Sequence, residues 1–148
     1  MLKTIGAVVL GYVVIFVIVF LLFSAAYLAM GADRAFRPQS YEVSNLWVAI
    51  SLILSLLAAV IGGAVAARVG RSDKAVVGLA VLVVVLGILM TLPTLMAPPS
   101  GEPEVRTAQV GNLEAMSKAK PPNWMSIMNP ILGAVGVLVG GRLRKRPA

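Results

Sequence analysis

The sequence predicts an all-α integral membrane protein: a four-transmembrane-helix antiparallel bundle, N-in/C-in, with a short helix in the second outer loop. Three observations predict it. Four long runs carry no charged residue, the basic residues are unevenly divided among the connections between them, and cysteine and histidine are both absent. At 148 residues, 59% apolar and only 13% charged, the chain is greasier than a soluble domain of this length.

The runs are residues 5–30, 46–67, 75–93 and 124–141, and none contains Asp, Glu, Lys or Arg. About 20 residues at ~1.5 Å rise cross a ~30 Å hydrocarbon core. Each run is therefore expected to span. No water is present there to satisfy peptide groups, and the runs lack the alternation of a lipid-facing barrel strand, so each must close its hydrogen bonds as a helix. The chain reads as a single membrane domain over 1–148. The first run follows Lys3 and contains Ser24-Ala25-Ala26, a small-x-small pattern. Its length exceeds the ~7–15 residues of a signal-peptide core, so it is expected to remain as an anchor.

Orientation follows from charge. Lys3, Arg68, Arg71, Lys74, Arg142, Arg144, Lys145 and Arg146 share one side with Asp73 alone, and that side carries the whole net charge of +7. The opposite connections hold Arg34, Arg37, Arg106, Lys118 and Lys120 against Asp33, Glu42, Glu102, Glu104 and Glu114. Basic residues concentrate on the cytoplasmic side, so both termini are expected there. Trp47 and Trp124 each open a span at the outer face and are expected to act as interfacial anchors. The basic tail, 142–148, reads as the cytoplasmic stop of the last span; no nucleic-acid partner is expected.

The connection "RVGRSDK" is short enough to force an antiparallel hairpin, with Ser72 as a cap for the third helix. The second outer loop, 97–123, begins with Pro98, Pro99 and Pro103. From there Pro103 and Glu104 stand at one end, and Lys118 and Lys120 at the other, of a stretch whose charge order suits a helix dipole. A short helix lying over the outer face is expected, weakened by Gly111.

Within the second span, Ser51, Ser55, Ala59, Gly63 and Ala67 recur every fourth residue beside Ala58, Gly62 and Ala66, making a shallow groove. The fourth span has a second seam in Gly133, Gly136 and Gly140. Apposing apolar helices gains nothing from the hydrophobic effect in lipid; attraction must come from close backbone approach, which such seams permit. On the first span, Tyr12, Phe16, Phe20, Phe23 and Tyr27 share one face, and these rings are expected to pack into the second-span groove. That leaves the fourth-span seam for another subunit, unless both seams serve only to pack one four-helix bundle, which is the alternative reading of them. A groove for a carotenoid, quinone or lipid tail is the alternative use of the aromatic face. Pro130 is expected to kink the fourth span, with Asn129 bonding the backbone groups it frees.

Chemistry is mostly excluded. There is no thiol, no imidazole and no pair of carboxylates on one helix face, so neither catalytic residues nor a metal site are expected. No ionisable residue interrupts a span, which argues against a proton-coupled or ion-coupled path. No cofactor beyond a bound lipid is expected, and no soluble small-molecule substrate.

The stretches "DRAFRPQSYEVSNLW", "IGGAVAARVGR" and "NPILGAVGVLVGGRLR" resemble a group of small four-span bacterial inner-membrane proteins without an assigned activity. The resemblance implies four helices and a bacterial inner (cytoplasmic) membrane, and no site residue. The expected function is a non-catalytic accessory subunit that packs against other transmembrane subunits of a larger complex, or against itself, within the bilayer. A small channel or carrier for a neutral or lipidic solute is the alternative.

Overall fold

Four helices of the computed structural model, which describes residues 2–96, 105–106 and 110–143, are long and apolar enough to cross a membrane. They are α1 (Leu2–Met30), α3 (Asn45–Gly70), α4 (Asp73–Met96) and α6 (Asn123–Leu143), with two short helices, α2 (Ala32–Ala35) and α5 (Asn112–Lys118), between them. Among the described residues the only β pairings are isolated bridges, Phe36 with Val43 and Glu42 with Lys120. Every span extends beyond its charge-free run, because a helix continues through a flanking polar residue once its backbone bonds are closed. The basic tail from 144 onward lies outside the described residues, as do Pro98, Pro99, Glu102, Pro103 and Glu104.

Local chemistry accounts for the helix ends. Ser44 caps α3, its hydroxyl oxygen accepting the Trp47 N–H at 3.1 Å while its O–H donates to the Arg34 carbonyl at 2.6 Å. Ser72 does the same for α4, accepting the Lys74 N–H at 3.2 Å. Between α3 and α4 the chain turns at Arg71, which adopts the left-handed conformation with φ 46° and ψ 28°. A glycine normally takes that position. Here the glycine is one residue earlier, because a Cβ on Gly70 would run into Ala75 of α4 and come within 3.1 Å of the Ala7 side chain of α1.

In order around the bundle, the spans stand α1, α3, α6, α4. The hairpin partners α3 and α4 are antiparallel, yet the broadest contact of α3 is with α6, which runs parallel to it. One end of the bundle carries the Arg71–Ser72 turn. The other is roofed by two connections that bond to each other: the Val43 N–H donates to the Lys120 carbonyl at 3.3 Å, the Lys120 N–H to the Tyr41 carbonyl at 2.9 Å, and the Arg106 N–H to the Gln39 carbonyl at 3.3 Å. Beneath that layer, the Arg106 guanidinium is 7% exposed, 2.9 Å from Asp33 and stacked over the Phe36 ring.

The expected short helix differs in where it starts. Gly111 is its N-cap, not an interior weakness, and α5 runs only from Asn112. A glycine is less costly at a cap than inside a helix, where it loses about 1 kcal/mol relative to alanine. The segment is held by the Tyr27 hydroxyl, which donates to the Val110 carbonyl at 2.6 Å, and by Asn112 Nδ2, which donates to Ser24 Oγ at 2.8 Å.

Candidate functional site

The groove of α3 faces inward: Ser51, Ala59, Gly62, Gly63, Ala66 and Ala67 are buried, and Ser55 is half-buried. What occupies it differs from the expectation. Phe16 and Phe20 of α1 stay outside it. Instead Gly11 and Ile15 of α1 meet Gly62, with the Gly11 carbonyl 3.0 Å from where a Gly62 Cβ would stand. On the other flank, Gly63 abuts the Val137 backbone and Gly140 abuts the Val60 carbonyl. A Cβ on Gly136 would lie 2.7 Å from the Ala59 methyl, and one on Gly133 would lie 2.8 Å from Val83 of α4. The seam expected to meet another subunit is therefore consumed within the chain. Two flat faces bring backbones together and gain contact over their whole length, whereas a ring row on one side would hold the helices apart.

The aromatic face of α1 divides by height. Phe16 and Phe20 point away from the bundle, 65% and 40% exposed, and Tyr12 is half-buried beside the α3–α4–α6 core. Phe23 and Tyr27, nearer the roof, join Trp47 in edge-to-face contacts at 5.8 and 6.2 Å between ring centres, and Tyr27 continues to Phe36 at 6.4 Å. Trp47 is thus part of an aromatic cluster, while Trp124 stands 51% exposed.

Beside this cluster the bundle holds a cavity of about 260 Å³. Its walls are the rings of Phe23, Tyr27, Phe36 and Trp47, with Met116 and Met125 opposite. Three polar side chains also line it: Ser51, Asn112 and Asn129. Ser51 donates to its own helix at the Val48 carbonyl, 2.9 Å away, and so asks nothing of an occupant. The amides behave otherwise. Oδ1 of Asn112 and Oδ1 of Asn129 are both buried with no hydrogen-bond partner among the described residues. A buried acceptor left without a donor costs about 1–3 kcal/mol, and native structures keep such atoms rare.

Asn129 was expected to serve the backbone freed by Pro130. The structure gives that work to Thr91 of α4, whose hydroxyl lies 3.1 Å from the Ser126 carbonyl. That carbonyl is four residues before Pro130, the acceptor that proline cannot bond. The Gly87 carbonyl of its own helix lies 2.8 Å from the same hydroxyl, so the single proton is shared between the two acceptors. Gly87 in turn lets the Pro130 ring lie flat on α4, where a Cβ would collide with it. Helix α6 consequently continues through Pro130.

No protein-family model matches the chain, and no curated protein or solved structure matches it. Among the described residues no group of His, Cys, Asp and Glu is placed to hold a metal ion. The cavity lining thus combines aromatic and methionine side chains with the Ser51 hydroxyl and two carboxamides. Sequence reasoning missed Asn112 and Gly11. For Asn112, a polar residue in a polar loop gave no signal; for Gly11, the spacing with Ala7 was a visible small-xxx-small pair overshadowed by the rings.

Proposed function

We propose that this chain is a non-catalytic, multi-pass protein of a bacterial cytoplasmic membrane that binds a small neutral solute at the roofed end of its bundle. The observation that carries the proposal is the aromatic-walled cavity whose lining includes Asn112 and Asn129, each with a buried amide oxygen that has no partner among the described residues. Ligand sites combine apolar walls with a few polar groups in this way, and a ~150 Å³ apolar cavity already accommodates benzene. The uncharged interior of every span supports a neutral occupant, since a charged one would meet no counter-ion there. The excess of Lys and Arg supports placing both termini and the Arg71–Ser72 turn in the cytoplasm, with the roof and cavity outside.

The experiment is a fluorescence titration. In a Trp124→Phe background Trp47 is the sole tryptophan, and it lines the cavity. The protein in lipid nanodiscs should give a saturable change in emission with p-cresol, a neutral ring carrying one donor, and the change should shrink in Asn129→Leu. A linear, unsaturable response equal in both proteins rejects the proposal.

An accessory-subunit role keeps the support of one observation, the outward pair Phe16 and Phe20 on α1. Co-migration with other polypeptides after mild extraction, abolished by Phe16→Ala with Phe20→Ala, would favour it. Migration as a lone chain in both proteins counts against it.

A further inference from the structure

A second recess opens on the flank of the bundle, and its position relative to the cavity suggests how an occupant arrives and what it is. This groove, about 380 Å³ and open to the surroundings, is lined by Tyr12 and Ile15 of α1, Leu86, Gly87 and Met90 of α4, and Asn129 of α6. It lies above the level at which α1 touches α4, where Val8 approaches Gly78 and Leu79 packs on Gly11. Higher up, Met90 is 74% exposed, so the recess faces the apolar surroundings of the helices.

Asn129 lines both the groove and the aromatic cavity. It sits six residues into α6, about 9 Å below the roofed end at ~1.5 Å per residue. One side chain with an unsatisfied acceptor is thus the common wall of an open trough that has Ile15, Leu86 and Met90 among its walls and of the aromatic recess beneath the roof. A purely aqueous ligand would have no use for the trough. A purely apolar one would leave both amide oxygens bare.

Resting on the solute-binding reading above, we infer that the occupant is a bilayer-dissolved amphiphile with a neutral hydrogen-donating head, such as a long-chain alcohol, entering sideways between α1 and α4. Its head donates its single proton to the Asn129 amide oxygen, and its tail lies in the groove along Leu86 and Met90. Its route is lateral, through the bilayer, without crossing the roof. A molecule already concentrated in lipid loses little hydration on binding, so its selection falls to the Asn129 amide oxygen.

The test uses hexadecanol carrying a photoactivatable diazirine at mid-chain, with the corresponding methyl ether as a probe that cannot donate. In nanodiscs the alcohol should label α1 and α4 at the groove, and unlabelled hexadecanol should compete. Asn129→Leu should weaken labelling about fivefold, the value of one lost hydrogen bond. Leu86→Phe with Met90→Phe, which obstructs the trough and leaves the cavity walls intact, should abolish labelling yet keep the Trp47 response to p-cresol; that response also shows the variant is folded. Equal labelling by alcohol and ether, or label scattered over all outward faces, overturns the lateral-amphiphile inference. If p-cresol still binds, the solute-binding reading survives that failure. Loss of both responses in the unmodified protein overturns the two together.

Discussion

Thr91 of α4 holds its hydroxyl 3.1 Å from the Ser126 carbonyl, the acceptor that Pro130 deprives of its helical partner. A threonine on one helix thus completes the hydrogen bonding of another, and the pair makes a specific claim about energetics. Thr91→Val should destabilise the bundle by about 0.5–1.5 kcal/mol. In a Pro130→Ala background, where an N–H returns to position 130, the same change should cost clearly less. Unfolding midpoints in mixed micelles for the four proteins of this cycle check the coupling; equal costs in both backgrounds would show that the hydroxyl does not serve that carbonyl.

Backbone contact between α3 and α6 rests on glycines with no room for a side chain. Gly63→Leu or Gly140→Leu should remove the folded monomer, because each new side chain meets backbone that cannot step aside. Gly6→Ala should be neutral or slightly stabilising, since nothing stands within 4 Å of a Cβ there. A helix interior gains about 0.5–1 kcal/mol from that exchange. Thermal stability of the purified proteins in detergent reads out all three, and a stable Gly140→Leu monomer would contradict the packing.

Arg71 turns the chain with a positive φ that an L side chain tolerates poorly. Arg71→Gly should therefore stabilise the bundle by about 1 kcal/mol through relief of the left-handed penalty. The reciprocal exchange, Gly70→Ala, should destabilise it, because the new methyl would run into Ala75. Comparing melting temperatures of the two variants distinguishes strain at 71 from crowding at 70.

Orientation can be measured directly, because the chain contains no cysteine. Ser40→Cys in the roof should react with an impermeant maleimide added to whole cells. Ser72→Cys at the turn should react only after the membrane is opened. The reverse pattern would place the cavity on the cytoplasmic side.

Much of the fold was legible in the residues. Runs free of charge and long enough to cross a bilayer announce themselves one at a time, because the bilayer imposes the same length and polarity threshold on every helix. Ser72 as a cap, and the small faces of α3 and α6, are equally local properties. The helix after Gly111 was visible in outline but begins later than its charge order suggested, since charge order marks a dipole and not the residue at which the backbone turns.

The candidate site was largely hidden. Asn129 could be singled out as a polar residue in a span, but nothing in the chain said that its oxygen would lack a partner; that depends on which donors the neighbouring helices bring near it. Asn112, in a polar loop, becomes part of a cavity only because Ser24 and Tyr27 hold the loop over the bundle.

Composition and periodicity were enough to mark out four helices long and apolar enough to span and two shallow small-residue faces, because each is set by side chains within one helix. Only the tertiary structure decided which face meets which: α3 takes α6 on one flank and Gly11 with Ile15 on the other, leaving Phe16 and Phe20 outside. That choice turns on how each helix is rotated about its axis, and rotation is settled by the joint packing of all neighbours, a quantity that no single helix carries.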